Sequence, residues 1–140
     1  MAKTKGAGKY RSLLEKRVCE ELERKGVTFW YEPYQMPYTV SVKTAKCANC
    51  GHSTALKERR YTPDVVLGNG IIIEIKGRFT GPMRTKMLAV RDCNMDQEIK
   101  MLFQADNWMT SKKLMRYSDW CDKHGFDYAI GDKVPDEWTK

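Results

Sequence analysis

The sequence has no uninterrupted apolar run near the roughly 18 residues that a membrane-spanning helix requires, and its start carries no apolar signal-peptide core. A soluble, intracellular protein with no membrane partner is expected. Cysteine is sparse and odd in number, 5 in 140 residues, which argues against a disulfide framework. Cys19, Cys93 and Cys121 are scattered and read as reduced thiols. Histidine is limited to 2 residues, and His124 falls near the end of a predicted helix with no nucleophile beside it, so it reads as structural. Acidic residues are outnumbered, 18 Asp plus Glu against 25 Lys plus Arg, for a formal charge of +7. That surplus suits a polyanionic partner and leaves the fold open. The length of 140 residues suits one domain with a modest core.

What is present is concentrated in Tyr61 to Gly77, YTPDVVLGNGIIIEIKG. Asp64 to Leu67 and Ile71 to Lys76 read as two strands joined by Gly68-Asn69-Gly70, a turn whose Asn-Gly pair tolerates positive φ. Strand periodicity puts Glu74 and Lys76 on one face with Ile72, and Ile71, Ile73 and Ile75 on the other. A strand this apolar belongs inside a sheet, where a lone carboxylate is costly unless something cationic meets it. Asp64 on the neighbouring strand can face Glu74. Two carboxylates and a lysine within reach of one another suit Mg²⁺-dependent phosphodiester hydrolysis: hard oxygen ligands for the ion, and an ammonium to hold the attacking water or balance charge at the phosphate. The plain alternative is a solvated hairpin carrying a Glu-Lys surface pair.

Taken in order, residues 1–10 are basic, glycine-containing and aperiodic, and read as a flexible arm. Residues 11–140 read as the folded unit. Ser12 reads as a helix cap with Glu15 as its capping-box partner, ahead of an apolar repeat of Leu14, Val18, Cys19 and Leu22 that ends near Lys25-Gly26. Glu15 lies on the flank of that stripe, so it either serves the cap alone or reaches inward as a further ligand. Val27 to Tyr31 and Tyr38 to Val42 read as strands. Their aromatic residues, Trp30, Tyr31, Tyr34 and Tyr38, suit packing better than base stacking.

Lys43 to Arg60 reads as an insertion interrupting the sheet. Within it, Cys47, Cys50 and His52 have metal-ligand spacing, with Gly51 supplying the turn. A structural Zn²⁺ needs a fourth ligand, for which Cys93, His124 or a second subunit are candidates; two reduced cysteines in a loop are the plain alternative. After the hairpin, a helix is expected from Pro82, a strand at Glu98 to Phe103, an irregular stretch over Gln104 to Arg116, a helix at Tyr117 to His124 with Ser118 as a possible cap, a strand at Phe126 to Ile130 and a closing turn at Pro135 to Trp138. Positive residues that could follow a phosphate backbone are Lys9, Arg11, Lys43, Lys46, Lys57, Arg59, Arg60, Arg78, Arg84 and Lys86.

Taken together, Ser12-Leu13-Leu14-Glu15, Tyr61-Thr62-Pro63-Asp64, Asn69-Gly70-Ile71, Glu74-Ile75-Lys76-Gly77 and the ending Trp120 to Gly125 with Pro135 to Trp138 resemble the phage endonuclease I family, the Holliday-junction-resolving enzymes of T7-like phages. The resemblance implies an α/β fold with a restriction-endonuclease-like nuclease core, a mixed sheet flanked by helices. It also implies a homodimer whose strands are exchanged across a β-bridge, acting on branched DNA in the cytoplasm of a bacterial host. In that family setting, Asp64, Glu74 and the carbonyl of Ile75 would bind Mg²⁺ or Mn²⁺, Lys76 would position water, and Glu15 would complete the site from the partner subunit. Paired nicks would leave 5′-phosphates, with junction shape giving selectivity. Lys43 to Arg60 departs from the family's short connection, which leaves the spacing of the two centres open. Competing readings are a general or mismatch-directed DNA nuclease of the same superfold and a non-catalytic zinc-knuckle nucleic-acid-binding protein.

Overall fold

The computed structural model describes residues 10–43 and 54–140. Ser12 caps helix α1 (Leu13–Arg24) from an extended backbone, its Oγ accepting from the Glu15 N–H at 3.1 Å. The helix buries Leu14, Val18, Cys19 and Leu22, the predicted stripe. Then come β1 (Phe29–Tyr31), β2 (Met36–Lys43), β3 (Thr54–Tyr61), β4 (Val65–Leu67), β5 (Ile72–Lys76), α2 (Gly81–Cys93), β6 (Ile99–Phe103), α3 (Tyr117–His124), β7 (Asp127–Ile130) and a closing 3₁₀ turn (Asp136–Thr139).

Five strands form one mixed sheet in the order β1-β4-β5-β6-β7. β4 runs antiparallel to β1 on one side and to β5 on the other, the latter pair joined by a tight turn, whereas β5, β6 and β7 run parallel because α2 and α3 carry the intervening crossovers. The predicted hairpin is β4–β5. Its turn closes with the Leu67 N–H donating to the Ile71 carbonyl at 2.9 Å, and Gly70 takes φ +94°, which a side chain would resist.

The β5 alternation sorts its side chains as expected. Ile73 and Ile75 pack with Leu14, Val18, Leu22 and Phe29 beneath α1, while Ile72 joins Phe79, Met87, Phe103 and Trp120 under α2 and α3. The sheet therefore separates two apolar layers, and the molecule is a mixed α/β assembly with three helices.

Two expectations change. Lys43 to Arg60 is not simply an insertion interrupting the sheet: Thr54–Tyr61 is strand β3, paired with β2 in a separate two-stranded ribbon from Met36↔Tyr61 to Lys43↔Thr54. The residues from Ala55 to Arg60 are exposed, so β3 is held by its backbone ladder to β2, which itself packs Met36, Tyr38 and Val40 against the apolar layer under α2. Ser118 does not cap α3. The cap position is Arg116, whose N–H donates to Asp119 Oδ2 at 2.9 Å, and Ser118 instead bonds Asp106 through its N–H (2.9 Å) and Oγ (2.5 Å).

Of the aromatic residues expected to pack, Tyr38 is buried and Tyr31 half-buried, but Trp30 and Tyr34 are exposed. His124 lies against the Trp120 ring and its carbonyl accepts from Arg91, a structural setting. Among the described residues, no helix is long and apolar enough to cross a membrane.

Candidate active site

The register of the central sheet sets the site. Tyr31 pairs with Val65 and Val65 with Ile73, so the next step along each ladder brings Glu32, Asp64 and Glu74 into one row across β1, β4 and β5. Asp64 precedes its strand, and its Oδ2 accepts from the Ile75 N–H at 2.8 Å. Glu74 is gripped at both oxygens: Tyr61 Oη donates to Oε1, and Lys76 Nζ lies 2.9 Å from Oε2.

Glu15 approaches from α1. Its Oε1 accepts from Tyr31 Oη at 2.6 Å and its Oε2 from Ser12 Oγ at 3.1 Å, so the capping residue also orients a site carboxylate. One oxygen each of Glu15, Glu32 and Asp64 lie within 4.8 Å of one another. Glu15, Asp64 and Glu74 are only 8%, 9% and 4% exposed, far below what is usual for acidic residues.

So many buried carboxylates disfavour full ionisation. Burial, then the Glu74 charge, then Glu15 push the Asp64 pKa up to about 8, against the opposing effects of the Ile75 N–H and Lys76. Burial disfavours the Lys76 ammonium, but Glu74, Asp64 and Glu15 outweigh it and its pKa is raised. Burial and Glu74 raise Tyr61 well above the ordinary phenol range, and burial with the Glu15 hydrogen bond raises Tyr31, so both hydroxyls remain donors. The site is thus a buried cluster of hard oxygen donors in which the raised Asp64 pKa marks room for a further positive charge. That donor chemistry fits Mg²⁺ or Mn²⁺ and not a thiophilic ion.

The model of the Phage endonuclease I family matches residues 1–140. The chain belongs to the phage endonuclease I family.

Among family relatives, Endonuclease I of Escherichia phage T7 is 33% identical over 135 residues, covering 95% of this chain and 80% of that protein. Endodeoxyribonuclease 1 of Enterobacteria phage T3 is 33% identical over 121 residues, covering 86% of this chain and 70% of that protein.

In this phage endonuclease I chain, the structure brings together all four predicted catalytic residues, Glu15, Asp64, Glu74 and Lys76, and here a single chain supplies them. Ile75 takes part through its N–H to Asp64. Glu32 was not legible as a site residue. It lies just outside β1 with φ +47°, a left-handed conformation in a non-glycine residue ahead of Pro33, and joins the site only through strand register. The Arg11 guanidinium pairs with it at 2.8 Å.

The other basic residues divide. Lys57, Arg59, Arg60 and Arg78 are exposed, the first three on the ribbon. Lys86 lies over the Tyr61 ring, 5.5 Å from its centre. Arg84 is half-buried and donates to the Phe79 carbonyl at 2.5 Å, holding the entry to α2. Lys9, Lys46, Cys47, Cys50, His52 and the side chain of Lys43 lie outside the described residues.

Proposed function

We propose that this chain is a metal-dependent DNA endonuclease with a restriction-endonuclease-like core, working as a homodimer that makes paired nicks in four-way and other branched DNA. The observation that carries this reading is the carboxylate row Glu32, Asp64 and Glu74 with Glu15 and Lys76 around it, in a chain whose relatives bear the names endonuclease and endodeoxyribonuclease.

Bound Mg²⁺ or Mn²⁺ supplies Lewis-acid polarisation of the scissile phosphate and offsets the charge that builds on the leaving oxygen. Asp64, Glu74 and the Ile75 carbonyl would hold one ion, and Glu15 with Glu32, whose oxygens lie within 4.8 Å of Asp64, would extend the oxygen set toward a second. Lys76, anchored on Glu74 Oε2, is placed to orient the attacking water or to meet a phosphate oxygen. Cleavage leaves a 5′-phosphate. Arg11, Lys57, Arg59, Arg60, Arg78 and Lys86 offer backbone contacts that read junction shape and not base sequence.

The dimer forms by exchange through the ribbon. Pairing β2 of one chain with β3 of its partner keeps the ladder's backbone bonds and sets Glu15 of one chain beside Asp64, Glu74 and Lys76 of the other. Cys47, Cys50 and His52, with a fourth ligand from elsewhere in the chain or from the partner, would hold a structural Zn²⁺ in the segment between β2 and β3.

The experiment compares wild type, Glu74→Ala and Lys76→Ala on a four-way junction and a matched duplex with Mg²⁺. Both substitutions are expected to lower junction nicking by about 100-fold or more, while Glu74→Ala still binds the junction. Wild-type activity in either variant overturns the proposed site, and equal cutting of duplex and junction overturns the junction preference.

A further inference from the structure

Two of the site's carboxylates are each held by a tyrosine hydroxyl, and both tyrosines lie at the ends of strands. Tyr61 is the last residue of β3, with its ring buried among Met36, Ile72 and Met87 and its hydroxyl donating to Glu74 Oε1. Tyr31 is the last residue of β1, half-buried, accepting from the Arg11 N–H at 3.1 Å and donating to Glu15 Oε1 at 2.6 Å. We infer that Tyr61 and Tyr31 are positioning residues that fix Glu74 and Glu15 in the rotations a divalent cation needs. The inference rests on the metal-nuclease reading above.

Packing alone does not call for these hydroxyls. The Tyr61 ring sits in an apolar cluster that phenylalanine would fill, and its hydroxyl is buried only because Glu74 is there to accept it. A carboxylate swings freely about its last bond, so one directional donor fixes where the remaining lone pairs point. The donor's charge matters as well. A lysine or arginine in this role would neutralise the ligand it oriented, as Lys76 partly does at Glu74 Oε2. A phenol orients its carboxylate while leaving the full negative charge for the cation. The arrangement recurs on the two faces of the sheet, with Tyr61 in the layer under α2 and α3 and Tyr31 against the layer under α1.

The test measures Mn²⁺ binding by calorimetry, together with kcat and KM on a four-way junction, for wild type, Tyr61→Phe, Tyr31→Phe and Glu74→Gln. Each Tyr→Phe change is expected to weaken Mn²⁺ binding and lower kcat by about 10-fold, with KM for the junction and the melting temperature unchanged. A merely structural tyrosine would shift the melting temperature and leave Mn²⁺ affinity alone. Wild-type Mn²⁺ affinity in a folded Tyr→Phe variant overturns the inference. If Tyr61→Phe does not fold, Tyr31→Phe, at a half-buried position, decides the matter by itself. Glu74→Gln separates the two levels. If it nicks like wild type, the metal-nuclease reading fails; if it is inactive while both Tyr→Phe variants bind Mn²⁺ normally, only the tyrosine inference fails.

Discussion

Glu32 and Asp64 meet across the first two strands of the sheet: the Glu32 N–H donates to the Asp64 carbonyl at 3.0 Å, one step beyond the Tyr31↔Val65 pair. This backbone bond holds Glu32 in its left-handed bend and delivers its carboxylate to the cluster. Glu32→Gln keeps the size and removes the charge. It is expected to weaken Mn²⁺ binding and slow nicking by about 10-fold, and unchanged affinity in calorimetry would exclude Glu32 as a ligand.

Asp64 makes the metal-free protein sensitive to pH in an unusual direction. Its pKa rises from an ordinary 3.8 to about 8 on folding, so across that window the folded chain holds a proton that the unfolded chain has released. Stability is therefore expected to fall as pH rises from about 4 to 8. Asp64→Asn retains the acceptor for the Ile75 N–H and should flatten this slope, raising metal-free stability at pH 8 by about 2–4 kcal/mol. Denaturant titrations at pH 5 and pH 8.5, with and without Mg²⁺, measure it. A wild-type protein more stable at the higher pH without metal would contradict the burial of Asp64.

Exchange through the ribbon has a genetic signature. Glu15→Ala and Asp64→Ala chains are each expected to be inactive alone. Co-refolded, they form mixed dimers in which one centre carries both defects and the other carries neither, so about one quarter of all centres are intact. Recovery of nicking near that level supports exchange. No recovery above the separate variants means that each chain builds its own centre.

Zinc is tested by elemental analysis of protein purified with the metal supplied. Cys47, Cys50 and His52 predict about 1 ion per chain, or about 0.5 if two chains share one. Less than about 0.2 per chain would remove zinc from this segment. Cys47→Ser should release the ion while leaving Asp64, Glu74 and Lys76 in place.

How much of this was legible in the sequence depends on what holds each element. The alternation of Ile71 to Lys76 is enforced by burial on both sheet faces, so Glu74 and Lys76 could be assigned a common face from sequence. The spacing of Ser12 and Glu15 encodes the α1 cap, and the structure adds that the same glutamate faces the site. Strand β3 carried no such signal. Ala55 to Arg60 has no buried face, so its pairing with β2 is written in backbone hydrogen bonds that no side-chain pattern reports. Glu32 was hidden for a related reason: its role follows from which strand neighbours β1, a fact of topology and not of local sequence.

The ribbon's geometry has a consequence for the site. Eight residue pairs at roughly 3.4 Å each make a ribbon about 27 Å long, starting at Met36↔Tyr61, where the Tyr61 hydroxyl grips Glu74, and lying on α2 through Met36, Tyr38 and Val40. The ribbon bears Lys57, Arg59 and Arg60 along its length. In the proposed nuclease, a phosphate backbone held on those residues would lie on the same strand that carries Tyr61, so DNA contact and the placement of Glu74 would be coupled through one phenol ring.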